Sequence, residues 1–315
     1  MLVFVVRRLI SMVLVLFAVS VLTFLIFNVL PNGDPAERIA GKVPNPAQVQ
    51  EIREQWGFDK PVYVQYVKTM EQIFSGDLIS YFTQANVMDQ IKAGAPRTFS
   101  LAIGAALIWM FFAIFLGYYG ARHAGKFSDR AITILTLVGV SMPSFWLAAL
   151  ASRYLGFELN WFPQGGYVPF SESPWEWAYH LVLPWFTLAA LYIGLYARVL
   201  RTNILETSHE DFVRTARAKG LSERQVMTRH VLRNSMIPVI TLWGLDFGAV
   251  VGGAAILTET VFNLQGVGQY AADSIAQLDV PPVMAIVLFG AFFIVLLNTI
   301  VDLLYGRLDP RVRAQ

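Results

Sequence analysis

The stretch RTARAKGLSERQVMTRHVLRN, residues 214–234, decides how this chain folds. It carries six Lys/Arg and a single acid, Glu223, inside a sequence of 315 residues that is 56% hydrophobic and only 15% charged. Strongly apolar sequence lies on either side of it. A polar, basic segment in that position reads as a connection between two membrane spans, and its own pattern is helical. Just upstream, Ser208 with Asp211, or Thr207 with Glu210, has the spacing of a capping box, which predicts a helix start. That helix is expected to run to Lys219 and stop at Gly220 in the left-handed conformation. Ser222 with Gln225 then predicts a second helix toward Asn234, leading into a membrane span.

Working outward, the apolar runs place six spans, at about residues 9–30, 98–121, 131–152, 178–197, 235–258 and 283–305. Each reaches the roughly 20 residues that a bilayer-crossing helix requires. The first run is longer than the roughly 7–15 residue apolar core of a signal peptide, and PNGDP at 31–35 makes a poor cleavage site, so it reads as a retained span. Arg7 and Arg8 before it read as a topological anchor. The fourth span contains His180 and Pro184, which membrane helices tolerate when neighbours satisfy the freed backbone groups. Pro143 is expected to kink the third.

Charge sets the orientation. Arg122, Lys126 and Arg130 lie between the second and third spans. Arg198, Arg201 and the arginines of the quoted stretch lie between the fourth and fifth, and Arg307, Arg311 and Arg313 near the end. The connections at 154–177 and 259–282 hold acids but no Lys or Arg. The positive-inside rule then puts both termini and the quoted stretch in the cytoplasm. Trp161, Trp175, Trp177 and Trp185 read as an interfacial aromatic belt on the other side. The expected organisation is an N-terminal segment with the first span (1–30), a long helical extracytoplasmic loop (31–97), and a core domain (98–315) containing the cytoplasmic segment 198–234. Within the loop, Asn45 caps a helix with Pro46 in its first turn and an end near Gly57. A second helix runs from Pro61 to Gly76.

The sequence excludes several chemistries. With no Cys there is no disulfide framework or thiolate site. The four histidines lack metal-ligand spacing. No phosphate loop is present, since Gly41-Lys42 is followed by Val43 and Gly125-Lys126 by Phe127. If transport is ATP-driven, the motor is another chain. No nucleophile, base and acid gather at one membrane depth, so an intramembrane enzyme finds no support. A secondary transporter commonly shows internal repeats and several buried ionisable groups; this chain has no repeat and offers Asp246.

Asp246 is the acid in the middle of a span. It has two readings, a passage-lining group that meets a substrate amine and a hydrogen-bonding group between helices. Gly244, Gly248 and Gly252 around it form a small-residue face for helix packing. The basic stretch also has two readings. It is either a solvated loop lying on anionic lipid, or a protein-docking element in which Ala216 and Ala218 permit close approach while Phe212 and Arg217 supply anchors. Nothing else in the chain supports nucleic-acid binding.

The stretch resembles the cytoplasmic EAA loop of ABC-importer permeases. Gly220 matches the loop's glycine. Of the Glu-Ala-Ala positions, here Arg214, Thr215 and Ala216, the last matches, and of His230 to Arg233 only Leu232 does. These departures fit the oligopeptide/dipeptide branch, whose version resembles RTARAKG followed by an RH-x-LRN run and Ile-Pro. Further resemblance to that branch lies at 31–35, at DKPVYVQY (59–66), at SMPSFW (141–146), at LTETVFN (257–263) with Gly266-Val267-Gly268, and at LDPR (308–311). Gln265 stands where proline is usual, and Ile79 where glycine is.

The resemblance implies an all-α polytopic membrane protein of type I ABC importer permease fold. The chain would be a non-catalytic translocation subunit of the bacterial inner membrane, working by alternating access. The implied partners are a second homologous permease, two cytoplasmic ATPases that use ATP and Mg, an extracytoplasmic substrate-binding protein, and membrane lipid. This chain would bind no cofactor. Peptides are the implied cargo, and related systems carry metal chelates, glutathione or oligosaccharides. The helix from Glu210 to Lys219 would be the coupling helix. Glu210, Asp211, Phe212, Ala216, Arg217, Ala218 and Gly220 would form its ATPase contact, Arg217 the charged one.

Overall fold

A computed structural model of the chain describes residues 2–29, 35–40 and 45–308. Residues 31–34 and 309–311 of the motifs quoted above, the Gly41–Val43 tripeptide, Arg311 and Arg313 lie outside the described residues. Among the described residues the chain forms helices and their connections, with one isolated bridge between Ile79 and Asn86.

Helix α1 (Leu2–Phe24) ends in a π turn, Leu25–Val29. The first connection holds α2 (Pro35–Ala40), α3 (Pro46–Trp56) and α4 (Val62–Ser75). Its punctuation follows the sequence. The Asn45 side chain accepts from the Ala47 N–H at 3.0 Å, Gly57 ends α3, and Pro61 and Gly76 bracket α4.

Helix α5 (Val87–Arg122) begins well before residue 98, where the second span was expected to start. Asp89, Gln90 and Lys92 hide its first turns from a hydropathy reading. The Asn86 side chain caps it by accepting from the Asp89 N–H at 3.1 Å. The third span is not one straight helix. It is α6 (Phe127–Ser141) and α7 (Ser144–Glu158), bent by 95°. Pro143 has no N–H to donate and forces Met142 to extended geometry (φ −90°, ψ 127°), which ends α6.

Helix α8 (Pro174–Thr207) takes Pro184 within it. After α9 (Asp211–Ala218) comes α10 (Glu223–Ala254), which contains π turns at Val226–Leu232 and Val250–Ala254. Gly253, at φ 139°, turns the chain into α11 (Ile256–Val261) with a backbone that few residues other than glycine adopt. The chain closes with α12 (Val267–Gln277) and α13 (Val280–Leu308). Five of these helices are long and apolar enough to cross a membrane, and a sixth crossing is reached if the bent pair forms one span.

The chain divides into two compact units, one from 1–98, 251–256 and 265–315, the other from 99–250 and 257–264. In the first, α1 packs on α13. Phe24, Val280 and Met284 form a core against Tyr66, whose hydroxyl lies 2.7 Å from that of Ser20. A second core joins Leu78, Val87 and Ile91 to Val267, Ala271 and Ile286. Gly252 lies against Gly290 of α13 with no room for a side chain on either.

In the second unit α8 is the spine, packed by α6, α7 and α10. Trp185 donates to the Ser100 carbonyl at 2.9 Å and lies where a Cβ on Gly104 would be. It is a packing anchor, whereas Trp161 and Trp175 are exposed.

Candidate functional site

The basic connection folds as a short helix hung between two long ones. Helix α8 runs to Thr207, so Ser208 is still in helical geometry and its hydroxyl donates back to the Ile204 carbonyl at 2.6 Å. The expected capping boxes at 208/211 and 207/210 therefore do not form, because a hydroxyl near a helix end satisfies its own preceding turn. Glu210 instead provides the extended residue that starts α9, without a side-chain cap. At the far end Gly220 adopts φ 80°. An L side chain there costs roughly 1–2 kcal/mol, so the turn into α10 is fixed by a glycine. The Ser222–Gln225 pairing forms as expected, with the Gln225 side chain accepting from the Ser222 N–H at 3.2 Å and its hydroxyl at 3.0 Å.

Helix α9 buries one narrow face. Val213 and Ala216, three residues apart, are buried, and α9 packs on the Val226–Leu232 turn of α10, where Val226 and Val231 are buried too. The base of the element is tied by Ser235, which donates to the Thr207 hydroxyl at 3.1 Å and whose carbonyl accepts from Asn203. The outer face stays free. Glu210, Asp211, Phe212, Ala218 and Gly220 are exposed, as are Arg214 and Thr215. Arg217 is exposed but engaged, forking onto Glu223 with Nε and Nη2 contacts of 3.1 and 2.9 Å. The Glu223 carboxylate holds the Arg217 guanidinium above its ordinary range. Of the expected contact set, Ala216 thus faces the chain's own α10, and Arg217 staples α9 to the first turn of α10.

Three residues of this architecture escape a reading by charge and motif. Val213 seats the helix. Glu223 receives Arg217. Asp129, at the start of α6, takes Arg201 of α8 through two contacts of 2.6 and 2.7 Å, with the Gly125 N–H added at 2.9 Å. Arg201 looks like one more positive-inside charge, yet it is the link between the α5–α6 turn and the helix that carries α9. The available signal was Asp129 itself, the lone acid of a basic turn.

In the span, the Tyr196 hydroxyl donates to Asp246 at 2.6 Å, which joins α8 to α10. Tyr196 is fully buried, and Trp109 stacks on the neighbouring Tyr192 at 4.4 Å. This bond is a direct tie between the two helices through Asp246. Gly244 and Gly248 are buried, and Gly252 makes the close approach to α13.

Comparison with known proteins gives a consistent picture. The family described as binding-protein-dependent transport system inner membrane component matches residues 110–314, and its N-terminal companion family matches 1–102. A Brucella abortus protein named for a peptide transport system permease is 39% identical over 308 residues, covering 98% of each chain. A Sinorhizobium fredii protein named for a peptide ABC transporter permease is 34% identical over 312 residues, 99% of each. The glutathione transport system permease protein of Escherichia coli is 36% identical over 315 residues, again 99% of each.

Proposed function

The chain belongs to the binding-protein-dependent transport inner membrane family and is a permease subunit of an ABC importer; from that premise we propose that it moves short peptides and is driven through α9. The peptide reading rests on the printed names of relatives that align along the whole chain. In this reading the quoted stretch faces the cytoplasm, both termini lie there, and the first connection faces a substrate-binding protein outside. A second permease completes the path, and two ATPases grip the pair from below.

The observation that carries the coupling role is the one-sidedness of α9. Its inner face is locked to α10 by Val213, Ala216 and the Arg217–Glu223 fork, while Phe212 and the remaining face stay open. A pull on that open face moves α8 and α10 together, because Ser235, Thr207 and Asn203 tie their ends. ATP closure would draw two such elements together and open the cavity outward; hydrolysis would reverse this. Each step requires only that ligands contact the two states differently.

The test is a Val213→Asp variant in proteoliposomes with its partner chains. A buried, unpaired carboxylate unseats α9, and substrate-stimulated ATP hydrolysis is expected to fall at least tenfold while the chain still inserts. Full stimulation in a correctly inserted variant would refute the coupling role. Uptake of radiolabelled di- and tripeptides, competed with glutathione, tests the cargo; uptake of glutathione alone would replace peptides by that tripeptide derivative.

A further inference from the structure

A groove of about 670 Å³ opens on the second unit between α5 and the start of α10. One wall is a single face of α5, with Phe111, Ile114, Phe115 and Tyr118 descending to Arg122. The other is the first two turns of α10, with Leu232 and Thr228 descending to Arg224. Both walls run apolar to basic in the same direction. From Phe111 to Arg122 the helix rises about 16 Å; the wall from Leu232 to Arg224, mostly π turn, is shorter. One leaflet of hydrocarbon is about 15 Å deep, half the roughly 30 Å core. The slot is therefore about as deep as one leaflet, with a guanidinium group at the same end of each wall. No acid lines it. Glu223, next to Arg224 in sequence and close enough to Arg122 to feel its charge, is held by Arg217. Phe111 and Phe115 remain more than half exposed.

We propose that this groove binds one anionic phospholipid, an acyl chain lying along Phe111, Phe115 and Leu232 and its phosphate held between Arg122 and Arg224. Apolar length and paired cationic donors together fit an anionic amphiphile; phosphate takes Arg bidentately, and basic pockets at helix ends hold such headgroups. The identity of the leaflet rests on the orientation proposed above, but lipid selectivity does not, so failure of one leaves the other standing. Bound there, the lipid sits one residue from the acid that staples α9.

The experiment is native mass spectrometry of the purified complex, titrated with phosphatidylglycerol or phosphatidylcholine of identical acyl chains. Phosphatidylglycerol adducts are expected to exceed phosphatidylcholine adducts about tenfold. In an Arg122→Gln/Arg224→Gln variant the preference is expected to fall to within about twofold, while Arg122→Lys/Arg224→Lys retains it. Thr228→Trp, which fills the slot and leaves both charges, is expected to lower adducts of either lipid. Equal retention of the two lipids by the unaltered protein, or an undiminished preference in the Gln variant, would overturn the site. So would efficient cross-linking of Thr228→Cys to the second permease, which would assign the groove to a protein interface.

Discussion

Two Arg–carboxylate forks hold two corners of the second unit, and water reaches them very differently. At the α5–α6 corner the Asp129 side chain is 5% exposed and Arg201 29%. At the α9–α10 corner Glu223 is 62% exposed and Arg217 42%. The bond lengths differ by a few tenths of an ångström, but the energetics diverge. A fork whose carboxylate is buried is costly to break, because the abandoned partner keeps its charge with little hydration. An exposed fork contributes at most about 1 kcal/mol and exchanges its partner for water or another protein. The first corner is therefore a fixed joint, and the second a latch that can let go. The coupling role proposed for α9 calls for both: a rigid frame that carries displacement into the helices, and a surface able to rearrange against a partner.

The largest effect is expected from breaking the joint. Asp129→Ala leaves Arg201 half-desolvated and is expected to destabilise the chain by about 3 kcal/mol, read as a lowered thermal midpoint in detergent. Replacing both partners by leucine is expected to recover most of that loss; a double variant as unstable as the single one would mean that the pair acts by something other than charge burial. Next comes Gly220→Val, which forces a β-branched residue into φ 80° at a cost of roughly 1–2 kcal/mol. Insertion should persist, and coupled ATP hydrolysis is expected to drop about tenfold. Normal coupling would show that the bend is not part of the lever.

The latch responds less. Glu223→Gln is expected to change stability by under about 1 kcal/mol, yet to alter the substrate stimulation of ATP hydrolysis. The exposed fork also weakens with added salt, and the more buried one weakens much less. A thermal shift as large as that of Asp129→Ala would erase the contrast between the corners.

A third carboxylate sharpens it further. In the first unit Asp279 is buried and held by the Ser80 hydroxyl and the Tyr81 N–H rather than by a guanidinium. Burial pushes its carboxyl above the ordinary range, against those donors, and with it the Tyr270 phenol rises to about 12. Because the folded state holds the Asp279 proton to higher pH than the unfolded chain, its contribution is complete below the unfolded carboxylate pKa of about 3.9 and is lost as pH rises through the folded value. Relative to Asp279→Asn, the unaltered chain is thus expected to lose stability on going from pH 4 upward. A relative gain over that range would reverse the assignment.

Much of this was legible in the sequence, for reasons that are local. The spans follow from apolar length. Asn45, Gly57, Gly76, Gly220 and the Ser222–Gln225 box follow from chemistry within a turn. What escaped was either masked or distant. The polar first turns of α5 lower the hydropathy that would have marked them, and Pro143 announces a break but not a bend of 95°. The Ser208 hydroxyl had two local partners, and the preceding helix took it. Asp129 and Arg201 lie 72 residues apart, so counting basic residues by loop never brought them together. The tie from Tyr196 to Asp246, 50 residues apart, was hidden in the same way. Trp185 reads as interfacial, and its packing against Gly104 is a contact that no local pattern marks.

The central claim is that a separate ATPase drives this subunit by gripping α9. The chain has no cysteine, so an Ala218→Cys variant carries one reactive thiol on the open face of that helix. With the co-expressed partner complex in membranes, a short thiol-to-amine cross-linker is predicted to join Cys at 218 to an ATPase chain, with a yield that changes between nucleotide-free and ATP-bound states. No adduct in a complex that still couples ATP hydrolysis to substrate, or labelling of that thiol from outside intact cells, would contradict the account.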